Sequence, residues 1–283
     1  MRVIGIGDNV VDRYTDRRVM FPGGNAVNFA VYAKKCGADA AYLGLLADEP
    51  EGRLIRDSLN TLGIDVSMSP LQEGLTTERC DVTVKSGDRV FVGVEYGEGT
   101  WEPLRLHDEH ITYLKQFDVI HCGCYGEMAE EVAKLDVCEA VKTYDFSEEE
   151  EYRTDAYLET VCPHIDIALF SGSSMDEAER LRVREKAVSL GTGLVVITDG
   201  SKGQIIWDGI REYTGCVKMV DAVDTMGAGD SFFTAFVIEL VRRGYQKGTK
   251  VTEEDINAAA RQGADFSAQV CMNEGAFGFG TTY

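Results

Sequence analysis

The stretch Asp224-Thr225-Met226-Gly227-Ala228-Gly229-Asp230-Ser231-Phe232 carries residue types whose spacing fits a definite chemistry. Gly227, Ala228 and Gly229 are small enough for the backbone to approach a ligand closely, and the apolar run 232–240 behind them reads as a helix. N–H groups at a helix start lack carbonyl partners and lie at the positive end of the dipole, so such a turn cradles an anion. A carboxylate beside a bound anion is unfavourable unless it works as a base. Asp230 would then take a proton from a hydroxyl while the cradle holds a phosphoryl group in transfer. The structural alternative is that Asp230 or Ser231 caps the helix and the glycines serve packing.

Two further stretches near the N-terminus suit hydroxyl-rich ligands. Gly7-Asp8-Asn9-Val10-Val11-Asp12 leaves the apolar run 3–6 and places two carboxylates, Asp8 and Asp12, at the carboxyl end of a strand. Open α/β sheets bind ligands along that edge. Pro22-Gly23-Gly24-Asn25-Ala26-Val27-Asn28 then runs a di-glycine into a helix. Asp and Asn side chains pair with several hydroxyls at once, which suits sugar binding, whereas turn and capping chemistry explains each residue singly.

The elements that must hold these residues alternate between short β-rich runs and longer helical ones. The pattern predicts strands over 3–6, 41–45, 119–122, 141–145, 167–170 and 194–198, and another over 217–223 leading into the glycine turn. It predicts helices over 26–35, 51–62, 107–115, 128–135, 155–161, 176–190, 228–243 and 253–270. Gly37, Gly63 and Gly191 follow the last periodic residue of three of them, as C-terminal caps do. Strands alternating with helices make a parallel sheet covered on both faces. Residues 204–213 read as a hairpin around Asp208-Gly209. The alternating runs 78–85 and 89–95, across Ser86-Gly87-Asp88, read as a second hairpin, with 13–21 as one more strand beside it. Half-polar strands do not fit inside a parallel core sheet, so these pieces form a small separate sheet: a lid, a dimerisation surface, or both. The acidic run Glu148–Glu151 reads as a solvated helix start.

Composition narrows the class. The 283 residues include 48 Asp plus Glu against 28 Lys plus Arg, a net charge of −20, and 44% are hydrophobic. This is material for one large α/β unit or two smaller lobes. The charge argues against nucleic acid and against an anionic membrane surface as partners. Eight scattered cysteines without a C-x-x-C pair, and an N-terminus that opens directly on a strand, predict a soluble, reduced, cytoplasmic protein. The four histidines show no metal spacing, and neither a P-loop nor a nucleophile elbow occurs. Phe232 stands where a dinucleotide fingerprint needs its third glycine, which counts against a nicotinamide-dependent oxidoreductase.

Taken together, the strings Gly7–Asp12, Gly23–Asn28 and Asp224–Asp230 resemble the ribokinase-like (PfkB-type) carbohydrate kinases over essentially the whole length. Gly7-Asp8-Asn9, Gly24-Asn25-Ala26-Val27-Asn28, Asp88-Arg89-Val90-Phe91 and Asp145-Phe146-Ser147 are most similar to the fructoselysine 6-kinase branch. The resemblance implies a single ribokinase-like domain over 1–283, α/β with a mostly parallel sheet, and a β lid from strands near 13–21 and 76–96. It implies ATP-dependent phosphorylation of a primary hydroxyl, with fructoselysine as the leading substrate. Other kinases of the fold would take a ketohexose, a pentose or a nucleoside, and a sugar or nucleotide sensor with little turnover is the non-enzymatic alternative.

The resemblance also implies residue roles. Asp230 would be the base and Gly227, Ala228 and Gly229 the anion hole. Asp12, Gly23, Gly24, Asn25 and Asn28 would meet the sugar, with Asp8 and Arg89 as contacts of the branch. Thr198-Asp199-Gly200-Ser201-Lys202-Gly203 resembles the nucleotide loop, with Thr198, Gly200 and Gly203 at the ATP. Mg2+ would accompany ATP, Asp224 would help hold a monovalent cation such as K+, and the lid would support a homodimer. Two departures stand out. The family's Asn-x-x-Glu motif is replaced by Phe170-Ser171-Gly172-Ser173-Ser174, with Glu177 and Glu179 as candidate substitutes. Asp199 adds a negative charge next to the polyphosphate unless its side chain turns away.

Overall fold

The computed structural model describes residues 1–69, 71–85, 88–97 and 103–283, and for 71, 85, 88 and 89 the backbone alone. The chain opens with β1 (Arg2–Ile6), β2 (Val10–Tyr14), β3 (Val19–Gly23), α1 (Asn25–Lys35), β4 (Asp39–Leu43), β5 (Leu46–Ala47) and α2 (Pro50–Thr61). It continues with β6 (Leu71–Gln72), β7 (Glu78–Lys85), β8 (Asp88–Glu95), α3 (Asp108–Leu114), β9 (Val119–Gly123), β10 (Val141–Asp145) and α4 (Asp155–Val161). Then come β11 (Ile167–Ser171), α5 (Glu177–Ser189), β12 (Leu194–Thr198), β13 (Gln204–Trp207), β14 (Glu212–Gly215), α6 (Ala228–Arg242), α7 (Glu253–Val270) and β15 (Thr281–Thr282).

Eight strands form the main sheet in the order β14-β13-β12-β11-β10-β9-β1-β4. The six from β12 to β4 run parallel, and β13 and β14 are antiparallel at one edge. The parallel strands are apolar on both faces because both faces are covered. Val3, Val119, Val141 and Val196 pack with α1, α6 and α7 on one side. Ile4, Ile120, Phe170 and Val195 pack with the cluster around Leu114, Leu158 and Val183 on the other. Phe232, Phe233 and Phe236 fix α6 to the first layer, each almost fully buried and worth about 2 kcal/mol of burial. All parallel strands therefore point their carboxyl ends at one rim, and the residues of interest gather there.

The second sheet has the order β15-β3-β2-β7-β8. The single strand expected over 13–21 is instead two antiparallel strands, with Asp12 opposite Phe21 and Tyr14 opposite Val19. The polar run Thr15–Arg18 makes the turn between them, with Arg17 N–H bonded to Tyr14 O at 3.0 Å and Arg18 at φ +52. Asp12 therefore lies on this sheet rather than at the end of β1. β7 and β8 form the expected hairpin, though residues 86 and 87 of its turn lie outside those described. β15 adds an edge that sequence periodicity did not suggest.

Three other expectations need correction. Residues 217–223 form no strand: Met219 is exposed, and Val223 and Asp224 donate their N–H groups to Cys271 O at the end of α7. Residues 128–135 are not an α-helix but turns leading into a short 3-10 helix, Val132–Val137. There the Glu131 carboxylate turns inward to accept from Leu106 N at 2.7 Å. The acidic run near 148–151 leads into a 3-10 turn, Glu150–Arg153, and α4 starts only after Thr154 caps it. Among the described residues no helix is long and apolar enough to cross a membrane.

Candidate active site

Asn25 is the hub of the site. As the first residue of α1 it sits beside the ends of β1, β9 and β10 and opposite the first turn of α6. Its Nδ2 donates to Asp145 Oδ2 at 2.8 Å and to Asp230 Oδ1 at 3.1 Å. Its Oδ1 faces His121 Nε2 at 2.8 Å, and its backbone N–H donates to Asp8 Oδ2 at 2.6 Å. One turn further along α1, Asn28 Nδ2 donates to Asp230 Oδ2 at 2.6 Å, while the buried Asn28 Oδ1 has no partner. Five sequence-predicted residues, Asp8, Gly24, Asn25, Asn28 and Asp230, thus meet at one place.

The two glycines before α1 are required by proximity. A Cβ on Gly23 would lie 2.6 Å from Asp12 Oδ2, and one on Gly24 (φ +110) would lie 2.8 Å from Asn9 Cα. Gly24 offers α1 no side-chain cap. Asp8 supplies it from a distance, accepting from Asn25 N and, at 3.3 Å, from Ala26 N. Asp8 is therefore neither a solvated turn residue nor a free acid.

Two carboxylates here are harder to ionise than usual. Burial pushes Asp8 up to about 6, against the pull of the Ala26 and Asn25 N–H groups and with the Asp230 charge adding to the rise. Burial, then the charge of Asp230, pushes Asp145 up to about 8, opposed by the Ser147 N–H and the Asn25 amide. His121, buried among apolar side chains, is held down to about 3 and stays neutral.

The glycine turn leads into α6, as its sequence suggests. Gly227 is the left-handed N-cap of α6 at φ +73, and a Cβ there would lie 2.2 Å from Tyr32 Oη. Ala228 N–H donates to Thr225 O at 3.1 Å, so the outward-facing donors belong to the residues after it. Gly229 is exposed and borders open space, and first-turn N–H groups have no carbonyl inside their own helix.

Asp224 departs from its expected role. It is fully buried, and its carboxylate accepts from Tyr14 Oη at 2.5 Å, Gly275 N at 3.0 Å and Met226 N at 3.0 Å. Three protein donors already occupy it, and it latches the second sheet to the approach of α6. These residues do not fit a monovalent-cation ligand set.

The ends of β11 and β12 form the other half of the rim. Thr198 O accepts Gly172 N at 2.7 Å, joining the two strand ends. Gly200 and Gly203 take positive φ in the turn to β13, and a Cβ on Gly203 would lie 2.5 Å from Gly215 O. Asp199 is paired with Arg180 of α5 at 2.7 Å and with Lys202 at 3.3 Å, and these cations with the hydrogen bonds they donate outweigh desolvation and lower its pKa. Arg180 also donates to Gly172 O at 2.6 Å. Of the two candidate substitutes for the missing motif, Glu179 faces Arg153 at 3.6 Å and Arg182 at 3.9 Å, while Glu177 is exposed at the first turn of α5. Arg89 lies on β8, and its side chain is outside what is described. Among the described residues no group of three or more His, Cys, Asp or Glu is arranged to hold a metal ion.

Sequence reasoning missed His121, Arg180 and the part played by Asp145. His121 had a signal, a lone polar residue in the apolar run 119–122. Asp145 had a weaker one, ending a predicted strand on the ligand-binding rim.

The rim thus gathers a glycine turn at a helix start, a clustered acid–amide group and a glycine loop, and comparison with known proteins gives the class. The model of the pfkB family of carbohydrate kinases matches residues 1–278, and the chain belongs to that family. The chain is 32% identical over 286 residues to the fructosamine kinase FrlD of Bacillus subtilis, covering 100% of this chain and 95% of that protein. It is 32% identical over 273 residues to the fructoselysine 6-kinase of Escherichia coli, covering 96% and 98%. Among solved structures, a fructokinase with bound ATP from Xylella fastidiosa superposes with a TM-score of 0.82 at 16% identity, covering 98% of this chain and 94% of that one. An aminoimidazole riboside kinase from Salmonella enterica, complexed with its riboside and an ATP analogue, gives 0.77 at 18% identity, covering 98% and 95%. The chain is thus an ATP-using carbohydrate kinase with the fold these structures share.

Proposed function

We propose that the protein phosphorylates the primary hydroxyl of a sugar–amine adduct, fructoselysine, giving fructoselysine 6-phosphate and ADP. The observation that carries this reading is the meeting of Asp230, Asn25 and Asn28 beside the anion turn, in a chain 32% identical over nearly its full length to kinases named for fructosamine and fructoselysine. In this reading Asn25, Asn28, Asp12 and the Gly23-Gly24 backbone hold the sugar. The sugar oxygen forms a bond to the γ-phosphorus, the bond from that phosphorus to the bridging oxygen of ADP breaks, and the hydroxyl proton passes to Asp230. The N–H groups that follow Ala228 at the start of α6 face the charge that develops on the transferring group. The orphaned buried Asn28 Oδ1 supports a hydroxyl donor from the ligand at that point.

Thr198, Gly200 and Gly203 would hold ATP as its Mg2+ complex, with Glu177, exposed at the first turn of α5, as the candidate substitute for the motif's carboxylate. No step is assigned to K+. The second sheet acts as a lid, and Arg89 of β8 is the substrate contact that the family resemblance implies. The exposed apolar side chains of Phe91, Val92 and Val94 on its outer strand support a homodimer through this sheet. We place the activity in the cytoplasm, where ATP and eight free cysteines are both at home.

The test is ADP release with MgATP across fructoselysine, fructose, ribose and nucleosides. A cationic amine near Asp8 and Asp145 forms charged hydrogen bonds worth ~1.5–3 kcal/mol, so fructoselysine should exceed fructose in kcat/KM by roughly ten- to a hundredfold. Equal efficiency on fructose would move the assignment to a ketohexose kinase. Preference for a nucleoside would move it to the riboside branch, and sugar binding without turnover to a sensor.

A further inference from the structure

We propose that His121 is a positioning residue of this site: with Thr143 it fixes the orientation of the Asn25 amide so that both of its N–H bonds face carboxylates. The inference rests on the kinase reading only for its kinetic consequence. Its geometry stands on hydrogen bonds alone.

An ionised carboxylate only accepts, and an amide offers two donors on nitrogen and an acceptor on oxygen. Asn25 Nδ2 lies 2.8 Å from Asp145 and 3.1 Å from Asp230, and a carboxylate that serves as base only accepts, so Asp230 requires the nitrogen to be the end that faces it. The oxygen then faces His121 Nε2 at 2.8 Å, and that ring nitrogen must carry a hydrogen. Because burial keeps the ring neutral, Nδ1 is bare and accepts from the Thr143 hydroxyl at 2.8 Å. Polarity therefore runs one way through the chain Thr143 Oγ–H, His121 Nδ1, His121 Nε2–H, Asn25 Oδ1, Asn25 Nδ2–H.

The surroundings hold this arrangement. The imidazole is stacked on Phe29 of α1, centroids 4.2 Å apart and 15° from parallel, with Phe233 of α6 at 5.8 Å. A Cβ on Gly123 would lie 2.7 Å from Asn25 Oδ1, so a glycine keeps room for the amide oxygen. The ring thus stands between the helix that presents Asn25 and Asn28 and the helix that presents Asp230. An inverted amide would aim its oxygen at the Asp230 carboxylate and push it out of line with the sugar hydroxyl.

The test removes the donor at the far end of the chain, where nothing touches substrate. Thr143→Val keeps shape and deletes the hydroxyl, and Thr143→Ser restores it. With MgATP and fructoselysine, Thr143→Val should lower kcat about tenfold, the order of loss that misalignment near a reacting group produces, with sugar KM changed less. Thr143→Ser should return kcat to the wild-type value. In wild-type protein, 15N spectra of the His121 ring should show hydrogen on Nε2 and none on Nδ1, and Thr143→Val should mix the tautomers. A wild-type ring with hydrogen on Nδ1 overturns the proposal whether or not any variant folds. So does a Thr143→Val protein whose tautomer has changed while kcat has not. If the wild type phosphorylates no sugar, the kinase reading fails, and the ring spectrum still decides the relay.

Discussion

The two halves of the strand-end rim treat carboxylates in opposite ways. At β11 and β12, Asp199 is held between Arg180 and Lys202, and these cationic partners favour its ionised form. At β1, β9 and β10, Asp8 and Asp145 are held by neutral amides and backbone N–H groups, and burial with like charge pushes both up. A carboxylate next to a polyphosphate raises the cost of binding it unless cations offset the charge. A carboxylate set near a hydroxyl that must lose a proton is better served by neutral donors, which orient it without an ion pair competing for the proton. The contrast teaches that partner choice, not residue type, divides this rim into an end with a cation-paired carboxylate and an end with amide-held carboxylates, which in the proposed reaction face the polyphosphate and the sugar hydroxyl.

The sharpest way to break the contrast is at the proton-accepting end. Asp230→Asn should lower kcat by ~10²–10⁴, the usual loss of a general base. The substitution also replaces one of the two acceptor oxygens facing the Asn25 and Asn28 amides, which are donors, with an NH2 donor, so sugar affinity and thermal stability must be measured beside kcat. Near-wild-type turnover would end the base assignment. Loss of folding without a catalytic defect in the surviving protein would favour simple helix capping.

A smaller effect is expected at the other end. Arg180 is about one-fifth exposed and Asp199 about one-tenth, so their pair is partly shielded from solvent. Arg180→Ala leaves Asp199 with only the exposed Lys202 and Gly172 O with only the Met175 N–H, and ATP KM should rise about tenfold, the scale of one charge-assisted hydrogen bond. Arg180→Ala combined with Asp199→Asn should recover most of that loss, because the offending charge goes with its partner. A double variant as poor as the single would show that Arg180 serves the turn at Gly172 and not the charge.

Much of this geometry was legible in sequence, for reasons that are local. Gly227, Ala228 and Gly229 before an apolar run predict a tight turn opening a helix, and in the structure Gly227 is the left-handed cap of α6, where a Cβ would meet Tyr32. Apolar runs two-sided in character predict the parallel strands to within a residue or two. What stayed hidden depends on partners far apart in the chain. Asp8 reads as a ligand contact or a turn residue, and its role as the cap of α1 emerges only when the fold places the Asn25 N–H on it from 17 positions away. Arg180 joins Gly172 to Asp199 only because α5 packs beside the end of β12. Asp224 reads as a cation ligand until Tyr14 and Gly275 arrive to occupy it.

The smallest predicted effect is on stability and isolates Asp145. An ordinary Asp ionises near 3.8, and in the folded protein Asp145 is pushed up to about 8. Between those values the folded state holds a proton that the unfolded state has released, so the slope of unfolding free energy against pH is negative. The favourable contribution is fully present below about 3.8 and is lost as pH rises through about 8. Ligand-free protein should therefore gain stability from Asp145 as pH is lowered from 8.5 toward 5, on the order of a few degrees in Tm. Other groups titrate over the same range, so the informative quantity is the difference between wild type and Asp145→Asn. Asn cannot ionise, and the Tm of the variant should depend less steeply on pH, the two curves converging toward acid. Fructoselysine should flatten the wild-type curve too, because a cationic amine beside Asp145 favours its ionised form. Parallel curves for wild type and variant would show that Asp145 is ionised throughout, and that the neutral end of the rim carries one more full charge than its partners suggest.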